Sequence, residues 1–145
     1  MNTLLQKISP LWALRLGLGV MYAYSGSDLF LNPKGWTWAV PWWFSQIIAT
    51  YTTLEGYLRV QGIIEFCMAL VLLAWFLPKK AVFIVAIFSS AELLFILLFA
   101  PQFSITFRDL GVFGASVALM IMLFKSNIAM TPSVLVGTQT INTRS

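Results

Sequence analysis

The chain contains no histidine. That removes the commonest general base, the commonest metal ligand and the usual haem ligand. It contains one cysteine, Cys67. One thiol makes neither an intramolecular disulfide nor a CxxC relay, which excludes a self-contained thiol–disulfide enzyme. Charge is scarce as well: 10% of the residues are charged and 59% are apolar, where a soluble domain carries roughly 25% charge. There is too little polar surface for a water-soluble shell, and the mean hydropathy is +0.86. The net charge of +4 is spread over nine scattered Lys and Arg with no basic stripe, so nucleic acid is not an expected partner. Five carboxylates without a histidine give no expected metal site. A length of 145 residues allows one domain. The reading is an integral membrane protein whose first partner is the lipid bilayer, and whose chemistry uses carboxylates, arginines, aromatics or a bound organic molecule.

A bilayer core of about 30 Å needs about 20 apolar residues in a helix. Four segments meet this: Leu11–Leu31, Leu58–Leu77, Ala81–Ala100 and Ile105–Phe124. The expected fold is an all-α, antiparallel four-helix transmembrane bundle over residues 1–125, with a polar tail over 126–145. The first segment is not expected to be a cleaved leader, because Arg15 interrupts its apolar run. Pro78-Lys79-Lys80 and Pro101-Gln102-Phe103-Ser104 read as tight hairpins. The stretch from Asn32 to Gly56 is long and holds Trp36, Trp38, Trp42 and Trp43, four of the six tryptophans. Tryptophan favours the membrane–water interface, so a short helix over Trp42–Ala49, introduced by Pro41, is expected to lie there. Lys7, Lys79, Lys80, Lys125 and Arg144 fall on one side of such a bundle and Lys34 on the other. Both termini are therefore expected to be cytoplasmic.

Charges within spans cost about 2.5–3.5 kcal/mol each at mid-helix, so their placement carries information. At about 1.5 Å per residue, Glu65 lies roughly 10 Å and Glu92 roughly 12–14 Å from the outer ends of adjacent antiparallel helices. Asp28, Arg59, Arg108 and Asp109 fall in the outer third. Arg15 alone is near the inner face, where it is expected to snorkel. Helical spacing groups Arg15, Gly19, Tyr22 and Gly26 on one stripe, Arg59, Gly62, Glu65 and Ala69 on a second, and Arg108, Gly111, Ala115 and Ala118 on a third; Ser89 and Glu92 are a turn apart. Small residues mark helix contacts in membranes, which turns these polar groups inward. Two readings follow. In one, Asp28, Arg59, Arg108 and Asp109 are neutralising pairs that hold helix ends. In the other, they line an outward-opening pocket in which Glu65 and Glu92 share or shuttle a proton. Cys67 is expected to pack as a small apolar residue, and Gly111 and Gly114 to mark close helix packing. The tryptophans read as an interfacial anchor, or as a lid over a pocket suited to a quinone or a lipid headgroup.

Two stretches, Leu14–Phe44 and Phe107–Leu119, resemble the DoxX-like family of small prokaryotic membrane proteins. The likeness rests on Arg15 early in the first helix, Gly26 and Asp28 at its end, Pro33, Trp36, Trp38 and Pro41 after it, Glu65 in the second helix, and Arg108-Asp109-Leu110-Gly111 in the last. It covers about Leu11–Phe124. One departure stands out: Leu29 occupies the place where the family often has a lysine. The resemblance implies a four-helix bundle in a prokaryotic cytoplasmic membrane and an association with oxidoreductase chemistry; the related DoxD proteins are subunits of a thiosulfate:quinone oxidoreductase.

The expected function is an accessory or quinone- or small-molecule-binding subunit of a membrane redox system. Glu65 and Glu92 would handle protons, and Arg59, Arg108, Asp109 and Asp28 would bind the ligand. A bound quinone is the one cofactor this implies, and electrons would come from a partner. The alternatives are a non-catalytic assembly subunit packed against other membrane subunits or a second copy, and a lipid or small-molecule binder. They differ in one feature: whether the two glutamates face a reachable cavity, are locked in salt bridges, or lie beside an aromatic pocket open to lipid.

Overall fold

The computed structural model describes residues 9–99 and 103–129, with the side chains of the last helix described over 109–126. Among these residues the structure is all helical. Helix α1 spans Pro10–Leu31, followed by a 3-10 segment Pro33–Ala39; α2 spans Trp42–Ala49, α3 Leu54–Leu73, α4 Lys79–Phe99 and α5 Phe103–Ala129. Pro10 opens α1, where a missing N–H costs nothing. Pro33 follows its end and starts the tighter turn that carries the first tryptophans. Helix α2 begins directly after Pro41 and occupies the expected residues.

Helix α3 begins at Leu54, four residues before the apolar run suggests. The Thr53 hydroxyl accepts from the Gly56 N–H at 3.1 Å and caps it. Its other end comes at Leu73, leaving Trp75 and Phe76 exposed in the turn to Pro78. The shift puts Glu65 about 6 Å deeper along the helix than the sequence spacing gives. Helix α5 runs on to Ala129, past Lys125, where the sequence reading ends it. Residues 130–145, Lys7 and the Pro101-Gln102 turn lie outside the described residues.

Among the described residues, three helices are long and apolar enough to cross a membrane: Leu54–Leu73, Lys79–Phe99 and, within α5, Asp109–Ser126. Helix α1 has the length, at 22 residues, but Arg15, Asp28, three glycines and two serines lower its hydropathy, so the expected fourth span is not matched by composition.

Helix α1 packs mainly on α3, and α4 on α5. One apolar cluster draws on all four long helices: Leu18 and Tyr22, Ala69 and Leu72, Val82 and Ala86, Leu119 and Leu123. The α1–α3 seam is set by Gly26 and Gly62. A Cβ on Gly26 would lie 2.7 Å from the Gly62 carbonyl oxygen, and one on Gly62 2.6 Å from that of Gly26. Only glycine permits two backbones to approach this closely.

Three sequence expectations are corrected. Gly111 and Gly114 face open space; the face that α5 buries is Ser116, Leu119 and Leu123. Cys67 is exposed, on the outward side of the α1–α3 seam. Arg15 does not snorkel. It is 5% exposed and donates to the carbonyls of Leu72 at 2.9 Å, Ala74 at 2.7 Å and Val71 at 3.5 Å, with its guanidinium 4.2 Å from the Trp12 ring centre. A cation there satisfies the orphan carbonyls that end α3 and complements its dipole, which holds Arg15 inside.

Candidate functional site

The site begins from stripes that the helical period lays on three helices. On α1 it is Tyr22 and Ser25. On α3 it is Gln61, with Glu65 one turn on; on α4 it is Ser89, then Glu92. The α1–α3 contact at Gly26 and Gly62 and the α4 packing bring these stripes together. The Glu65 and Glu92 carboxyls lie within interaction range of each other. Ser25 Oγ donates to Glu65 Oε2, and Gln61 Nε2 donates to Glu92 Oε1. Tyr22, 2% exposed, reaches Glu92 and shares a 2.7 Å hydrogen bond with Ser89 Oγ. Beside this network Ser90 and Ser116 hydroxyls meet at 3.0 Å, tying α4 to α5. Every buried side-chain nitrogen and oxygen among the described residues has a partner. The arrangement is a pair of neighbouring carboxyl groups held on each side by a neutral donor.

Above the pair lies a cavity of about 130 Å³. Glu65, Glu92, Gln61 and Asp109 supply its polar wall. Phe44, Tyr57, Phe95 and Leu29 supply its apolar wall, and Trp36 and Trp38 cover it. The two indoles stack with ring centres 6.3 Å apart. An apolar cavity of about 150 Å³ holds one benzene ring, so this one is of the size of a single six-membered ring. On the side of the pair away from the tryptophans, Leu72, Val82, Ala86 and Leu119 are fully buried.

The residues singled out from the sequence separate into groups. Glu65, Glu92 and Asp109 line the cavity. Asp28 lies outside it and holds its cover: Oδ2 accepts from Trp36 Nε1 at 2.8 Å and Oδ1 from Asn32 Nδ2 at 2.8 Å. Arg59 also lies outside it, on the exposed side of α3, donating to the Phe30 carbonyl at 2.8 Å. The Arg108 side chain is outside the described residues. Leu29 is a buried wall of the cavity. The tryptophans divide too: Trp36 and Trp38 cover the cavity, Trp43 packs edge-on against Phe95 and Phe99, and Trp42 is exposed.

Sequence reasoning did not assign Ser25, Gln61 or Tyr57 to the site. A signal existed for Gln61, a polar residue in an apolar helix exactly one turn before an acid. Ser25 carried none, since serines are common in helices that pack closely.

No protein-family model matches the chain, and no curated protein or solved structure matches it either.

Proposed function

We propose that this chain is a four-span membrane protein, related to the DoxX-like proteins, that binds a small neutral ring bearing carbonyl oxygens and exchanges protons with it through Glu65 and Glu92. A quinone headgroup has that chemistry. The observation that carries the reading is the pair of neighbouring carboxyls in the wall of a ring-sized, aromatic-lined cavity. The indole faces of Trp36 and Trp38 suit a flat π-system. The Gln61 amide and the shared carboxyl proton are the donors a carbonyl needs. The neutral donors on the two sides of the pair, Ser25 and Gln61, favour a neutral ligand over an anion.

The buried apolar side chains of Leu72, Val82, Ala86 and Leu119 on the far side of the pair favour one-sided proton traffic. Protons reach the pair from the tryptophan side and do not cross the protein. Reduction of a quinone to a quinol takes two electrons and two protons. The pair supplies the proton route, and a partner subunit of the redox system supplies the electrons, since the chain has neither histidine nor a cysteine set to hold haem or an iron–sulfur cluster.

Counting α1 as the fourth span is favoured by where its residues lie. Arg15, Gly19, Tyr22 and Gly26 are buried, while Leu16, Val20, Phe30 and Leu31 are exposed. Its polar groups are spent inside, and its outer face suits lipid. The Lys and Arg distribution then puts both termini in the cytoplasm.

Native mass spectrometry of the protein, extracted gently from its own membrane, tests the reading. A retained quinone-sized adduct, lost in Glu65→Gln or Glu92→Gln, is the expected result. A stoichiometric complex with larger subunits and no adduct in either form would replace it with the assembly-subunit reading.

A further inference from the structure

Outside the cavity, the α1–α3 seam carries two hollows stacked one on the other. The inner one is an apolar groove of about 360 Å³. Gly26, Phe30 and Leu31 of α1 line one bank, and Gly62, Phe66 and Cys67 of α3 the other. The outer one is a polar pocket of about 320 Å³ at the end of α1, with Lys34, Arg59 and Glu55 around it and Leu31 on its boundary with the groove. The two share Leu31 and one helical stripe: Arg59, Gly62, Ile63, Phe66 and Cys67 follow the i, i+3, i+4, i+7, i+8 spacing of a single face. The groove exists because the Gly26–Gly62 contact has no side chains to fill it.

The geometry points to a binding site for one anionic phospholipid on the outer leaflet, its phosphodiester held by Arg59 and Lys34 and one acyl chain laid in the groove. Arg59 gives one N–H to the Phe30 carbonyl and stacks 5.6 Å over the Phe30 ring centre. This fixes the guanidinium at the pocket and leaves the rest of its donor fork for a phosphate. Lys34 is highly exposed and bonds only loosely to Glu55, at 3.9 Å. Two cations and one carboxylate leave a net single positive charge, which complements one phosphodiester. From Arg59 to Cys67 the stripe descends about 12 Å, within the depth of one leaflet of a bilayer about 30 Å thick. A headgroup pocket directly above an acyl-sized groove is what distinguishes a lipid from a free anion. The inference rests on α3 crossing the membrane and is independent of what fills the inner cavity.

The test is native mass spectrometry from micelles supplied separately with phosphatidylglycerol, phosphatidylcholine and inorganic phosphate, with flotation of the full chain in vesicles as the control for membrane insertion. The expected result is one retained phosphatidylglycerol per chain, favoured over phosphatidylcholine by at least about five-fold. Arg59→Gln and Lys34→Gln should each reduce retention by at least about five-fold, in line with loss of a charge-assisted bond. Lys80→Gln, at the other end of α3's hairpin, should leave it unchanged. Cys67→Trp, which fills the groove and leaves both cations in place, should also abolish retention. Lys34 is exposed enough that its variant keeps the fold, and circular dichroism checks this for the others. Equal retention of the two lipids, or unchanged retention in Lys34→Gln, overturns the site. Phosphate bound without lipid, insensitive to Cys67→Trp, overturns the acyl groove and leaves a plain anion pocket. A chain that fails to float overturns the membrane reading instead, and is told apart by that result.

Discussion

Gly26 and Gly62 meet across the α1–α3 seam with each backbone carbonyl where the other's Cβ would be. This contact sets the spacing of α1 and α3, and with it the reach of Ser25 to Glu65. Gly26→Ala or Gly62→Ala places a methyl group against backbone, which cannot swing aside as a side chain can. Each should destabilise the protein by about 2–3 kcal/mol, the upper range for overpacking. Gly19→Ala should cost less, because its close neighbour is the movable Leu73 side chain. Thermal unfolding in detergent checks the order; equal effects at all three positions would contradict it.

Arg15 ends α3 from a neighbouring helix. Arg15→Met removes the donors and leaves the Leu72 and Ala74 carbonyls buried without them, which should cost about 2–3 kcal/mol. Arg15→Lys keeps the charge but not the fork, and should recover only part. Denaturant unfolding of the two variants measures the difference. A snorkelling arginine would tolerate lysine fully.

These two positions also show where a sequence is readable. The long helices and the short helix after Pro41 follow from apolar run length and helical spacing, which are properties of the chain itself, whereas the depth of Glu65 depends on a helix start four residues earlier than the run suggests. Arg15, Arg59, Gly111 and Gly114 were not readable in the same way. Which side of a helix meets a neighbour depends on crossing angle and rotation, and spacing alone puts Arg59 on the Glu65 stripe although the structure turns it outward. Arg15 has the composition of a snorkelling residue; only the position of the α3 terminus gives it a partner. The tryptophans read as one cluster because they are close in sequence, and Pro41 divides them into a cover and a surface helix.

Asp28 positions the cover and does not touch the cavity. Asp28→Ala removes the acceptor for Trp36 Nε1 and Asn32 Nδ2, so the indole of Trp36 should lose its fixed orientation. Its fluorescence should shift toward that of a solvent-exposed indole, in a background where the other tryptophans are phenylalanine. Asp28→Asn keeps an acceptor and should restore most of the native spectrum. Identical spectra for Asp28→Ala and the parent would show that Asp28 does not hold the cover.

Tyr22 and Ser89 should prove coupled. Their hydroxyls meet at 2.7 Å in a fully buried position, so losing either leaves the other short of a bond. A double-mutant cycle with Tyr22→Phe and Ser89→Ala should give an interaction energy of about 1 kcal/mol. A value near zero would mean that Tyr22 spends its hydroxyl on Glu92 alone.

Glu65 and Glu92 are expected to hold a ring-sized, carbonyl-bearing ligand beneath Trp36 and Trp38. Titration of the protein in lipid nanodiscs with a short-chain quinone, read as quenching of tryptophan fluorescence, tests it most directly, because the indoles form the cover of the site. Saturable quenching is expected, lost with Trp36→Phe plus Trp38→Phe and weakened at least about ten-fold by Glu65→Gln or Glu92→Gln. Quenching that rises linearly without saturation, with the same slope in both glutamine variants, would contradict the account.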